Sequence, residues 1–155
     1  MSIFRGFRKA TTEITTGEVI SGTLLVPIAG NAVDEQVVRL ACTLSRRQQN
    51  KVVLLHIIEV PRSLPLTAEL DTDKGREALN RAVQIAEQLG VAAITEVIQA
   101  RDAGATIVEE AQHMGATLIL LGLPRLQRMG QPSLGKTVPY ILLHAECRVV
   151  VLRPA

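Results

Sequence analysis

Along this chain, short unbroken apolar runs alternate with stretches in which apolar residues recur every three or four positions, the respective signatures of buried strands and one-sided helices. Thr23 to Ile28 (TLLVPI) is the first run, and Ala29-Gly30-Asn31 closes it as a turn. Asp34 and Glu35 then open a helical stretch. Val37, Val38, Ala41, Leu44 and Ser45 share its face as far as Arg46 and Arg47, so acids lie at the start and bases at the end, as the helix dipole favours. Lys51 to Val60 (KVVLLHIIEV) predicts a second strand, and Pro61 to Leu70 a linker. From Asp71 to Leu89 the stripe of Leu79, Ala82, Val83, Ala86 and Leu89 predicts a helix that Gly90 stops. Ala92 to Ile98 is read as the third strand. Asp102 then caps a helix with Ile107, Val108, Ala111 and Met114 on one face, ending at Gly115. Thr117 to Leu121 (TLILL) is the fourth strand, Gly135 to Ala145 a short helix with Pro139 in its first turn, and Arg148 to Leu152 (RVVVL) the last strand.

Five apolar strands separated by four helical segments predict an α/β fold: a three-layer sandwich in which a five-stranded parallel sheet carries helices on both faces. Residues 1–22 precede it as an N-terminal arm, and residues 23–155 form one domain. In such sheets ligands gather beyond the carboxyl ends of the strands, where the strand order reverses. The site is therefore expected from Ala29 to Asn31, the residues after the second strand, and Gly122 to Thr137. That last segment includes a 13-residue connection, Gly122 to Leu134, and connections of this length inside a domain are often functional.

Composition narrows the function. The chain has 155 residues, 47% hydrophobic and 21% charged, which excludes a disordered polymer. Aromatic residues are scarce (Phe4, Phe7 and Tyr140), so the core must be aliphatic and single-stranded nucleic acid finds no stacking platform. The net charge of +2 is small, but residues 123–155 hold five basic residues (Arg125, Arg128, Lys136, Arg148 and Arg153) against Glu146 alone, a setting for an anion. Cys42 and Cys147 lack any ligand spacing and read as reduced thiols of a cytoplasmic protein. No apolar run approaches the roughly 20 residues of a membrane span. The arm, with Arg5, Arg8 and Lys9 beside its two phenylalanines, offers contact with a membrane surface, a transporter or another partner; packing across its own domain, or fraying, is the preferred reading.

Chemistry concentrates late in the chain. Gly130-Gln-Pro-Ser-Leu-Gly135-Lys136-Thr137 matches the Walker A expression G-x-x-x-x-G-K-[ST], but it does not directly follow a strand, so a P-loop is not expected. Gly135, Lys136 and Thr137 still combine close backbone approach, a positive charge and a hydroxyl at a helix start, where a phosphate fits. Arg125 is read either as closing the pocket or as a solvated loop charge. His56 reads as a satisfied core histidine, Asp102 as a cap, His113 and His144 as partners of helix ends, and Asp34-Glu35 and Glu109-Glu110 as solvated pairs. No nucleophile-base arrangement or metal spacing is present, so the protein is expected not to be an enzyme.

From TLLVPI through VVLLHIIEV and GATLILLG to AECRVVVLRP, Thr23 to Pro154 resembles the universal stress protein family. The resemblance implies an adenine nucleotide alpha hydrolase-like sandwich of the universal stress type, with ATP or AMP as the candidate ligand. ATP-binding members carry G-x-x-G-(nine residues)-G-[ST]. Gly122 and Gly135 match its first and third glycines, Arg125 replaces the second, and Lys136 stands at the Ser/Thr position. The family's V-P-x-D-G-S becomes Val26-Pro27-Ile28-Ala29-Gly30-Asn31, and Ala29 cannot accept the hydrogen bond of the family's Asp, worth about 1 kcal/mol and up to about 3 when charged. Ile57 matches a position that looks toward the base. The resemblance also implies a homodimer through the last strand, at Val149, Val150 and Val151. Two functions stay open: a stress-response regulatory module with weakened or lost nucleotide binding, or an ATP/AMP-binding protein, at its extreme a slow ATPase, using Lys136 and Thr137.

Overall fold

The apolar runs are rich in Val, Ile and Leu, which suit strands covered on both faces, and the strands they form carry the fold. The computed structural model describes residues 22–155. The arm up to residue 21 lies outside the described residues, and with it the reading of Arg5, Arg8 and Lys9. The chain runs β1 (Thr23–Pro27), α1 (Asp34–Gln48), β2 (Lys51–Glu59), α2 (Asp73–Gln88), β3 (Ile94–Ala100), α3 (Ala103–His113) and β4 (Ala116–Gly122). Two short strands follow, β5 (Leu126–Arg128) and β6 (Gln131–Ser133), then α4 (Thr137–His144) and β7 (Arg148–Leu152). The main sheet has the order β3-β2-β1-β4-β7, and every neighbouring pair is parallel.

Alternation along each strand divides the core in two. Leu24 and Val26 of β1, Val52 and Leu54 of β2, and Leu118 and Leu120 of β4 pack with Val38 and Ala41 of α1 and Ala82 and Ala86 of α2. The intervening residues Leu25, Val53, Leu55, Ile119 and Leu121 face the other way, onto Ile107 of α3 and Val138 and Ile141 of α4. Each fully buried aliphatic side chain contributes roughly 1.5–3 kcal/mol, so the two clusters make this three-layer arrangement the stable one.

Two expectations are corrected. β3 lies two residues later than its apolar pattern indicated, because pairing with β2 runs from Ile94 to Ala100 and Val60 donates its N–H to the Ala100 carbonyl. The connection after β4 is not bare loop: β5 and β6 form an antiparallel hairpin whose two turn residues, Met129 and Gly130, have φ of 53° and 75°. Two consecutive positive φ values mark the turn whose twist suits a two-residue hairpin. This hairpin dismantles the Walker A match, since Gly130 sits at its tip and residues 131–133 are extended.

Candidate functional site

β2 and β3 lie on one side of β1, and β4 and β7 on the other. The crevice between the carboxyl ends of β1 and β4 is thus the point of reversal at which such sheets bind ligands. A cavity of about 340 Å³ opens there, walled chiefly by Ile28, Leu55, Ile57, Ile107, Leu121 and Leu126. Of the residues expected at the site, Ala29, Ile57, Gly122 and Thr137 line it. Gly122 is required by packing as well, because a Cβ there would stand 2.9 Å from Val33 Cγ1 of the segment entering α1.

The remaining expected residues lie outside that lining. Gly30 faces a separate, more polar groove between α1 and α2. Arg125 and Gly135 are exposed, and Gly135 has a φ of +67° in the turn before α4. Lys136 is also exposed, and its Nζ donates to Glu59 Oε2 at 3.1 Å. This contact and the Glu59 charge hold the ammonium above its ordinary range. Glu59 does line the cavity, and its other oxygen, Oε1, accepts the backbone N–H of Ala103 at 3.3 Å, the first residue of α3. Next to it, Asp102 caps α3 as expected, its Oδ1 accepting from the N–H of Ala105 at 2.9 Å.

Asp34 overturns its reading as one of a solvated pair. It is 9% exposed, lines the cavity, and its carboxylate accepts from the backbone N–H groups of Gly30 at 2.6 Å, Asn31 at 3.2 Å and Ala29 at 3.4 Å. Burial pushes this carboxyl above its ordinary value, and the three donors with the nearby His56 pull it back only in part. The turn after β1 directs three consecutive N–H groups at one point, an anion-holding geometry that the chain fills with its own acid. A sign of this was present in the sequence, since an Asp closing a Gly-Asn turn at a helix start is a usual acceptor for turn N–H groups. His56 is satisfied, as expected: its Nδ1 donates to the Ile28 carbonyl at 2.7 Å, and the residue is part of the cavity lining.

Comparison with known proteins decides the kinship. The family model of the universal stress protein family matches residues 21–153. The chain belongs to that family. A universal stress protein of Methanocaldococcus jannaschii is 26% identical over 148 residues, covering 90% of this chain and 86% of the relative. A universal stress protein structure from Archaeoglobus fulgidus superposes with a TM-score of 0.71 at 21% identity, covering 85% of this chain and 98% of that one. Another from the same organism, solved in complex with dAMP, has a TM-score of 0.67 at 19% identity over 86% of this chain and 98% of its own. These structures share the parallel three-layer fold of this universal stress protein. No helix among its described residues is long and apolar enough to cross a membrane.

Proposed function

We propose that this universal stress protein is a stress-response binding module that works by association and not by turnover, and that its cleft takes an adenine-class ligand with a weakened grip on phosphate. The observation that carries this reading is the division of the cleft. Its base-sized apolar part is intact around Ile28, Ile57 and Ile107, while Ala29 offers no side-chain acceptor and Lys136 is tied to Glu59. A cavity of about 340 Å³ falls at the lower end of small-molecule sites. The dAMP bound to the Archaeoglobus protein of like fold supports the ligand class.

The second reading, ATP or AMP held by Lys136 and Thr137 with slow hydrolysis as its extreme, draws support from Thr137, which lines the cleft at the start of α4. Thermal unfolding with millimolar AMP or ATP separates the two, because a ligand bound only to the native state must raise the melting temperature. The proposed reading expects a small rise that Lys136→Ala leaves in place. A large rise with ATP that Lys136→Ala abolishes would establish the second reading instead.

A further inference from the structure

We infer that Glu59 is the specificity-determining residue of the cleft, an internal carboxylate standing where a ligand's phosphate would otherwise go, so that the site selects the uncharged nucleoside over its phosphorylated forms. The inference rests on the reading of the cleft as an adenine-class site and adds the rule by which it chooses.

Three features converge on it. First, the residues lining the cavity include two acids, Asp34 and Glu59, and neither Lys nor Arg. A polyanion entering this cleft meets like charge in a setting partly shielded from water, where repulsion is stronger than in bulk solvent. Second, several of the donors around the cleft already have carboxylate partners, and the N–H groups that open α4 are without a side-chain cap. Lys136 Nζ and the first N–H of α3 both donate to Glu59, and the three N–H groups of the turn after β1 donate to Asp34. A phosphate that uses these carboxylate-paired donors must displace an acid tethered to the same molecule, and a tethered group competes at high effective concentration. Third, the apolar walls and the Thr137 hydroxyl keep what a neutral ring and a sugar hydroxyl need, a mostly apolar surface with a few polar groups to fix orientation.

Glu59 and Lys136 are both partly exposed, with side chains 39% and 67% accessible, so their pairing contributes little to stability and changing Glu59 leaves the fold intact. Its effect falls on selectivity. The Glu59→Gln substitution keeps the side chain's shape, removes its charge and releases Lys136 toward the cleft.

Isothermal titration of the full chain and of Glu59→Gln with adenosine, AMP and ATP tests this, at low and at high salt. The expected order for the unaltered protein is adenosine tightest and ATP weakest. Glu59→Gln should tighten ATP by about five- to tenfold and leave adenosine unchanged, the scale of one new charge-assisted hydrogen bond together with the loss of one repulsion. Salt should not weaken ATP binding to the unaltered protein, since it screens a repulsion, but should weaken ATP binding to the variant. A merely structural role for Glu59 would shift all three ligands alike. ATP binding tighter than adenosine in the unaltered protein, or an unchanged adenosine-to-ATP ratio in the variant, overturns the inference while the adenine site stands. Failure of all three ligands to bind either protein removes the adenine site itself, and the inference with it.

Discussion

At the scale of single residues, the carboxylate of Asp34 organises the turn after β1 by accepting from the N–H groups of residues 29 to 31, and α1 begins at the same residue. Removing that acceptor deletes the charge-assisted hydrogen bonds of three partly exposed N–H groups, and hydrogen bonds to a charged group are typically worth about 1.5–3 kcal/mol. Asp34→Ala should therefore lower the urea midpoint by a corresponding amount with an unchanged m-value. The carboxyl also carries a pH signature. Its folded value is raised above the ordinary 3.8, so between 3.8 and the raised value the folded state binds more protons than the unfolded one. Its contribution is greatest below 3.8 and declines as pH rises through the folded value. Asp34→Asn should remove this decline, and equilibrium unfolding across the acid range measures it. The sequence carried a sign of Asp34 as an acceptor for the turn but none of its burial, because burial depends on α1 packing against the sheet, which no local pattern records.

At the scale of elements, α2 meets β2 through Gly75 and His56. Helix propensity alone favours Gly75→Ala by nearly 1 kcal/mol, since glycine loses more freedom on ordering than alanine. The structure reverses that sign. An added methyl at Gly75 would overlap the imidazole of His56, whose Nδ1 is anchored to the Ile28 carbonyl, so ring and helix cannot both keep their places. Overpacking of this kind costs about 1–3 kcal/mol, so Gly75→Ala should lower the melting temperature despite the better helix former. The hairpin of β5 and β6 belongs to the same scale. Its sequence held no alternating apolar run, only Pro132 and a Met129-Gly130 turn, so a loop was the natural expectation. Residues 126–128 and 131–133 are largely exposed and pair with each other.

At the scale of the whole molecule, the two edges of the sheet differ. The outer edge at β3 has the 61–72 connection against it: Gln99 Nε2 donates to the carbonyls of Leu66 and Ala68, and Arg101 reaches those of Val60 and Pro61. β7 pairs only with β4 among the described residues, and Val150 is 38% exposed with Leu143 of α4, at 80%, also open. Uncovered edges of apolar strands invite pairing, which supports a homodimer built on Val149, Val150 and Val151. Light scattering should then give twice the chain mass for the unaltered protein and a single chain mass for Val150→Lys; equal masses would remove this model of the dimer. The order and type of the main elements were legible in the sequence, because the two-residue and 3.6-residue periods are properties of neighbouring positions. So was the end of the sheet at which Ala29, Ile57, Gly122 and Thr137 meet, since a parallel sheet has only one carboxyl end. Only the tertiary structure decided how the charges of the cleft are matched. Glu59 and Lys136 are 77 positions apart, and whether a lysine faces a ligand or its own protein's carboxylate depends on which strand ends the fold sets side by side.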